Sequence, residues 1–277
     1  HYVRPIAGAL AQARKVAAGI PGPVTLDAGH YAGDPYVHAL FGSAEAVSRL
    51  FRASKAVQEY VATSLHDEAY ALLSATRREK RVLGMDMEGE ILRREVPQTQ
   101  VWFTDHQLHG LAISAAEARK NLMWTLFDRF LERVAVGVER LRAERDRLAQ
   151  EKDLAQARLR AAPAEGRRAL QGALDGVIKQ LTEITQALEP EHLYEVFETV
   201  LSHPDDCLYL HTYVLVLDAM GTVHDSVGGG VSEIDFVELH ERYQEPRTVA
   251  LVLCRGLAPV SADARLERFE EAGNWLG

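Results

Sequence analysis

The stretch LQGALDGVIKQLTEITQAL, residues 170–188, decides how this chain is built. Its apolar positions Leu170, Leu174, Val177, Leu181, Ile184 and Leu188 recur at steps of four and three. A period of 3.5 residues keeps one apolar stripe turned toward a partner helix, as in a coiled-coil seam. Upstream, Phe127, Leu131, Val134, Val138, Leu141 and Leu148 offer that partner stripe. The link between them, Ala161-Ala162-Pro163-Ala164-Glu165-Gly166, is short enough to make the two helices antiparallel neighbours. Ser114-Ala115-Ala116-Glu117 has the form of a capping box and sets the start of the outgoing helix. The spacing therefore predicts a helical hairpin with arms over 115–161 and 167–188, the first about 70 Å long at 1.5 Å per residue. Arg145 and Lys152 fall on seam positions, so the seam weakens outward.

On either side of this hairpin the pattern is different. The first 76 residues read as a helical layer, with Asp34-Pro35, Ser43 and Ser54 as start signals and Val57, Val61, Leu65 and Leu72 on one helix face. Lys80 to Glu88, Glu90 to Val96 and Gln98 to Ala112 read as three strands, the first two joined at Glu88-Gly89 and the third set off by Pro97. After the hairpin, Cys207 to Leu217 is apolar on both faces and reads as a central, doubly covered strand. Val231 to His240 alternates, and Thr248 to Cys254 is a final apolar strand. Gly228-Gly229-Gly230 reads as a loop, because a strand and not a helix follows it.

The expected fold is α+β: a mostly antiparallel sheet joining strands from both sides of the hairpin, an N-terminal helical layer, and an inserted long antiparallel coiled coil. The expected boundaries are 1–76 for the helical layer, 77–113 with 204–277 for the β-rich body, and 114–203 for the insertion. A helical hairpin between two β segments resembles the layout of the periplasmic adaptor proteins of export pumps. The N-terminal helical layer and the lack of a membrane anchor depart from that family.

The composition narrows the function. Among 277 residues, 47% are hydrophobic and 26% charged, the balance of a folded protein. The formal net charge of −9 disfavours nucleic-acid binding by the whole molecule, since phosphate contact depends on Lys and Arg. The charge is uneven: Glu117 to Arg168 holds 13 Lys/Arg and 9 Asp/Glu, a net of +4, and the remainder 18 and 31, a net of −13. Only Cys207 and Cys254 are present, which fits free thiols in a reducing compartment and an expected cytoplasmic location. No stretch approaches the roughly 20 apolar residues of a membrane span. A start at His1 instead of Met leaves room for a removed upstream segment.

Two candidate sites follow. Asp105, His106 and His109 cluster within five positions and would form a divalent-metal site if a strand bulge brought both imidazoles to one face. Arg158, Arg160, Arg167 and Arg168 flank the hairpin turn, with Glu165 the one carboxylate among them, and suit an anionic partner. His66-Asp67 and His224-Asp225 resemble the metal-binding pair of the HD phosphohydrolases, but the chain turns to β structure soon after the first pair, where that family needs more helices. No phosphate loop, nucleophile elbow or zinc-protease motif occurs, and no cofactor is indicated.

The leading expectation is therefore a non-enzymatic, bacterial-type interaction protein that binds a protein partner or dimerises through its coiled-coil hairpin. The alternatives are a metal-dependent hydrolase with a histidine site near the sheet edge, and a regulator touching nucleic acid through the basic arm.

Overall fold

The computed structural model describes residues 3–64, 66–88, 91–163, 166–242 and 244–257. In chain order the elements are α1 (Val3–Gly19), β1 (Val24–Leu26), α2 (Pro35–Leu40), α3 (Ala44–Ala53), α4 (Lys55–Thr63), β2 (Glu68–Glu88) and β3 (Ile91–Ala112). There follow α5 (Ala115–Ala161), α6 (Arg167–Ala187), α7 (Leu193–Leu201), α8 (Pro204–Cys207), β4 (Leu208–Leu217), β5 (Ser232–Glu241) and β6 (Arg247–Arg255). The fold is α+β. Among the described residues, no helix is long and apolar enough to cross a membrane. The chain divides into two compact units, Arg14–Met123 with Cys207–Gly277 and His1–Ala13 with Trp124–Asp206.

The first unit is built on a six-stranded sheet in the order β3-β2-β6-β5-β4, antiparallel except where the short β1 runs parallel to β6. Strands from before and after the hairpin thus pair in one sheet. Strand β6 is its centre. One flank of β6 follows β2 from Glu68↔Arg255 to Ala75↔Thr248. The other flank is shared: β5 pairs it only at Glu238↔Thr248 and Leu239↔Arg247, and β1 takes over at Val24↔Val252 through Leu26↔Cys254. Cys254 lies in this covered stretch with no exposed surface. Burial pushes its thiol pKa up to about 12.

Three features differ from the sequence expectation. The three strands predicted over residues 80–112 are two long ones, β2 and β3, whose expected turn at Gly89 lies outside the described residues. Pro97 sits inside β3 opposite Leu83, which is tolerated because β3 is an edge strand and needs no amide donor on its open side. Leu72 belongs to β2 and not to a helix, for α4 ends at Thr63 with Ser64 as its C-cap. The Ala-rich run from Ala69 to Thr76 is buried on both faces except at Tyr70, so it shows no alternation that would mark it as a strand. Finally β4 is an edge strand, not a central one: Tyr209 and Val214 are 44% and 49% exposed.

The β2–β3 ribbon coils through three bulges, at Tyr70/Leu72, Ser74/Thr76 and Gly84/Met85. Each faces one β3 residue with positive φ: Gly110 at 61°, Asp105 at 52° and Glu95 at 61°. An extra residue in the left-handed region is what lets a bulged strand bend.

The helical layer forms where the side-chain caps predicted it. Asp34 accepts from the amides of Tyr36 and Val37 at 2.9 and 3.3 Å, Ser43 from Ala46 at 3.2 Å, and Ser54 from Val57 at 3.4 Å. Its Val37, Phe41, Val47, Phe51 and Val57 join Leu73, Ala75, Val101, Phe103, Phe236 and Ala250 of the sheet in one core. Phe236 is wholly buried and lies 5.2 Å from the Tyr36 ring, 5.1 Å from Phe103 and 5.6 Å from Tyr213.

The second unit is helical. Ser114 Oγ accepts from the Glu117 amide at 3.2 Å at the head of α5, which runs 47 residues before the chain turns into α6. Along α6, Leu174 is buried, and Leu170, Val177, Leu181, Ile184, Ala187 and Leu188 are half-buried, while the residues between are exposed. On the outer part of α5, Leu148 is buried, and Leu141, Arg145, Lys152, Ala155 and Leu159 are half-buried. The inner part uses another stripe than expected. Leu126, Phe130 and Val134 are buried at steps of four, whereas Leu131 is 39% exposed. Gly137 allows a close approach of α7, since a Cβ there would come 3.1 Å from Val196 Cγ1.

Candidate functional site

The two sites foreseen in the sequence fare differently in the geometry. Arg158, Arg160, Arg167 and Arg168 are all exposed around the turn between α5 and α6. Arg167 folds back to donate from Nη2 to the Ala162 carbonyl at 3.2 Å. Glu165 lies outside the described residues. Along the arm the charges are matched within the helix: Arg129 with Glu132, Arg142 with Glu139, Arg147 with Glu144 and Glu151, and Lys179 with Glu183. Among the described residues none of the four tip arginines has such a carboxylate partner.

Asp105, His106 and His109 are not brought together. The bulge that sequence reasoning required is present, but it takes in Asp105 and His106 and leaves His109 beyond it. From His106 onward the strand alternates regularly, with His106 and Leu108 inward and Gln107 and His109 exposed. His106 Nε2 lies 2.8 Å from the Leu40 carbonyl, and its ring stacks on Phe41 at 4.4 Å. Burial holds its pKa below the usual histidine range, against the pull of that hydrogen bond. His109 Nε2 is 3.2 Å from Ser74 Oγ. The Asp105 carboxylate accepts from Thr104 Oγ1 at 3.0 Å and lies 3.8 Å from Arg78 Nη2. The three side chains serve packing and strand geometry separately.

A different group is gathered on the sheet. His211 of β4 stands opposite Glu238 of β5, and His240 follows two residues along β5 on the same face. One ligand atom from each of His211, Glu238 and His240 lies within 4.8 Å of the other two. The environment of the group is ordered. Glu238 is 7% exposed, and its Oε1 lies 3.5 Å from Arg77 Nε. Arg77 also rests over the Tyr213 ring at 4.4 Å and reaches Glu79 at 3.4 Å. Tyr213 Oη is 3.2 Å from Thr248 Oγ1, and burial raises its pKa. Tyr209 stacks against His240 at 4.9 Å, fixing the plane of that imidazole.

No known protein family, curated protein or solved structure matches the chain.

Sequence reading singled out none of His211, Glu238 or His240. Part of the signal is local, because Glu238-Leu239-His240 and His211-Thr212-Tyr213 each put two functional side chains on one face of a strand. The decisive part is not. The opposition of His211 and Glu238 depends on the register of β4 against β5 across a connection of 14 residues. A connection of that length does not fix register as a two-residue hairpin does.

A second polar cluster lies at the end of β4. Asp218 accepts from the amides of Met220 and Thr222 at 2.8 and 2.9 Å and lies 3.1 Å from His224 Nε2. Burial opposes its ionisation, yet these hydrogen bonds together hold the carboxyl below the usual aspartate range. The arrangement shapes the turn at Gly221, which has φ of +75° and whose Cβ, if added, would come 2.4 Å from the Val101 carbonyl oxygen. It is a structural knot.

Proposed function

We propose that this chain is an interaction protein whose helical hairpin is a coiled-coil arm, with the arginine tip docking on an acidic protein surface. The observation that carries this reading is the pattern of charge pairing. Ion pairs within the arm use up its charges along much of its length, whereas Arg158, Arg160, Arg167 and Arg168 share no such pair among the described residues. A guanidinium presents a rigid fork of donors suited to carboxylates, and four at the end of a lever act together. The acidic remainder of the chain, at net −13, keeps a like-charged partner surface away from everything except the tip.

A homodimer is the second reading. The apolar residues Trp124 and Leu131 are 46% and 39% exposed and lie seven residues apart on one face of α5, and another copy of the arm would cover them.

Reversing the four arginines to glutamate is expected to weaken partner capture from native lysate at least tenfold at low salt while leaving the circular dichroism and melting temperature unchanged. Exposed substitutions of this kind shift stability by about 0.5 kcal/mol at most. Wild-type capture is expected to fall as salt rises, because exposed charges are screened beyond about 8 Å at physiological ionic strength. Equal capture by wild-type and reversed protein under all salt conditions would reduce the tip to a solvated turn. Sedimentation of both proteins separates the readings: a dimer that persists after reversal assigns self-association to the apolar flank.

A further inference from the structure

We propose that His211, Glu238 and His240 bind one divalent transition-metal ion, with Zn2+ as the type ion. This site is independent of the arm. Two imidazoles and one carboxylate are ligands for zinc and its first-row neighbours, not for Mg2+ or Ca2+, which require oxygen ligands.

Two observations converge on it. The first is geometric. The three ligand atoms already lie within 4.8 Å of one another. Tetrahedral ligands held about 2.0–2.2 Å from an ion stand about 3.4 Å apart, so no pair in the group needs to close by more than about 1.4 Å. His211 can supply that movement, since it is exposed and sits on the edge strand β4. Glu238 and His240 are adjacent same-face positions on β5 and form the fixed part of the site.

The second observation is a buried nitrogen with no hydrogen bond. His240 Nε2 is enclosed and makes none. Its nearest acid oxygen, Glu238 Oε2, lies 3.4 Å away, in ion-pair range but without hydrogen-bond alignment. Buried polar nitrogens in folded proteins are nearly always satisfied, and an orphan of this kind calls for an ion or a water. Here the lone acceptor is a carboxylate that also faces a second imidazole, which favours an ion.

Neighbouring side chains complete the site. Arg77 engages Glu238 through Oε1 and leaves Oε2 on the His240 side, so the carboxylate would bind the ion through one oxygen. A metal-bound carboxylate is commonly oriented by a hydrogen-bond donor in this way. Stacking by Tyr209 holds the His240 ring. Three protein ligands leave a fourth position for water or an exogenous anion, as in zinc sites that do chemistry, whereas purely structural sites have four protein ligands.

The test uses the full chain without an affinity tag, stripped with a chelator and titrated with Zn2+ by calorimetry, with elemental analysis after gel filtration. Wild type is expected to bind one equivalent. His211→Ala should bind at least tenfold more weakly, and His106→Ala/His109→Ala should bind as wild type does. Loading with Co2+ should give visible absorption in wild type that His211→Ala loses. His211 is exposed, so its replacement leaves the fold intact, and circular dichroism checks this. Should His211→Ala unfold, Glu238→Gln gives the same comparison, since it keeps the shape and removes the charge. The proposal is overturned if wild type takes up no stoichiometric metal, if His211→Ala retains wild-type affinity, or if the His106/His109 variant is the one that loses binding.

Discussion

Phe236→Ala is expected to lower the unfolding free energy by about 3–5 kcal/mol, the range for deleting a buried aromatic ring. The ring has no exposed surface and touches Tyr36 from the helical layer, Phe103 from β3 and Tyr213 from β4. Its loss leaves a cavity that three separate elements would have to close at once. Denaturant titration should show the midpoint moving down with the slope unchanged. A shift worth less than about 1 kcal/mol would mean that the core collapses around the gap and that the sheet is softer than its packing indicates. Tyr213 loses its neighbour in the same variant, so the Arg77–Tyr213 contact beside Glu238 should loosen as well.

Leu174→Asp and Leu131→Asp carry the same chemical change to opposite outcomes. Leu174 is 6% exposed and Leu131 is 39% exposed. An unpaired carboxylate at the first position is expected to cost about 3 kcal/mol or more, because a charge is buried without a partner. The helical circular dichroism signal should fall as the arm melts. At the second position the charge reaches water, and the expected cost is about 0.5 kcal/mol at most. Equal effects would show that the stripe on α6 is not the face that holds the arm.

The contrast between these two leucines also shows what the sequence could and could not reveal. The stripe from Leu170 to Leu188 was legible because it is a local repeat on a single helix, and the start at Ser114 because a cap is set by its neighbours in the chain. The stripe on the outgoing helix was misread at its inner end. There burial advances by fours through Leu126, Phe130 and Val134, and alternate steps of four and three appear only farther out, from Leu141 to Leu159. Both patterns share apolar residues, so the sequence alone does not choose between them.

In the sheet, identity came through where side chains alternate, as in Glu233 to Phe236, and failed where both faces are covered. The stretch from Ala69 to Thr76 is made of small and apolar residues that suit a central strand and a helix alike. Strand β4 was misplaced for the opposite reason. Its apolar residues suggested two covered faces, but an edge strand tolerates exposed Tyr209 and Val214. The candidate sites followed the same divide. Arg158, Arg160, Arg167 and Arg168 form a group legible in the sequence because they are close along the chain. His211 and Glu238 become neighbours only when two strands pair, and β5 meets β6 over just two residue pairs.

The thiol sealed inside β6 makes the first unit its own reporter. Cys254 has no exposed surface, and its proton is held so firmly that the reactive thiolate does not form in the closed sheet at neutral pH. An alkylating reagent can reach it only when the core packed on that face of the sheet, with Leu26, Leu257 and residues of the helical layer, opens. Its rate of modification therefore counts openings of that core, and a single sulfur serves as a clock for how often the layers part.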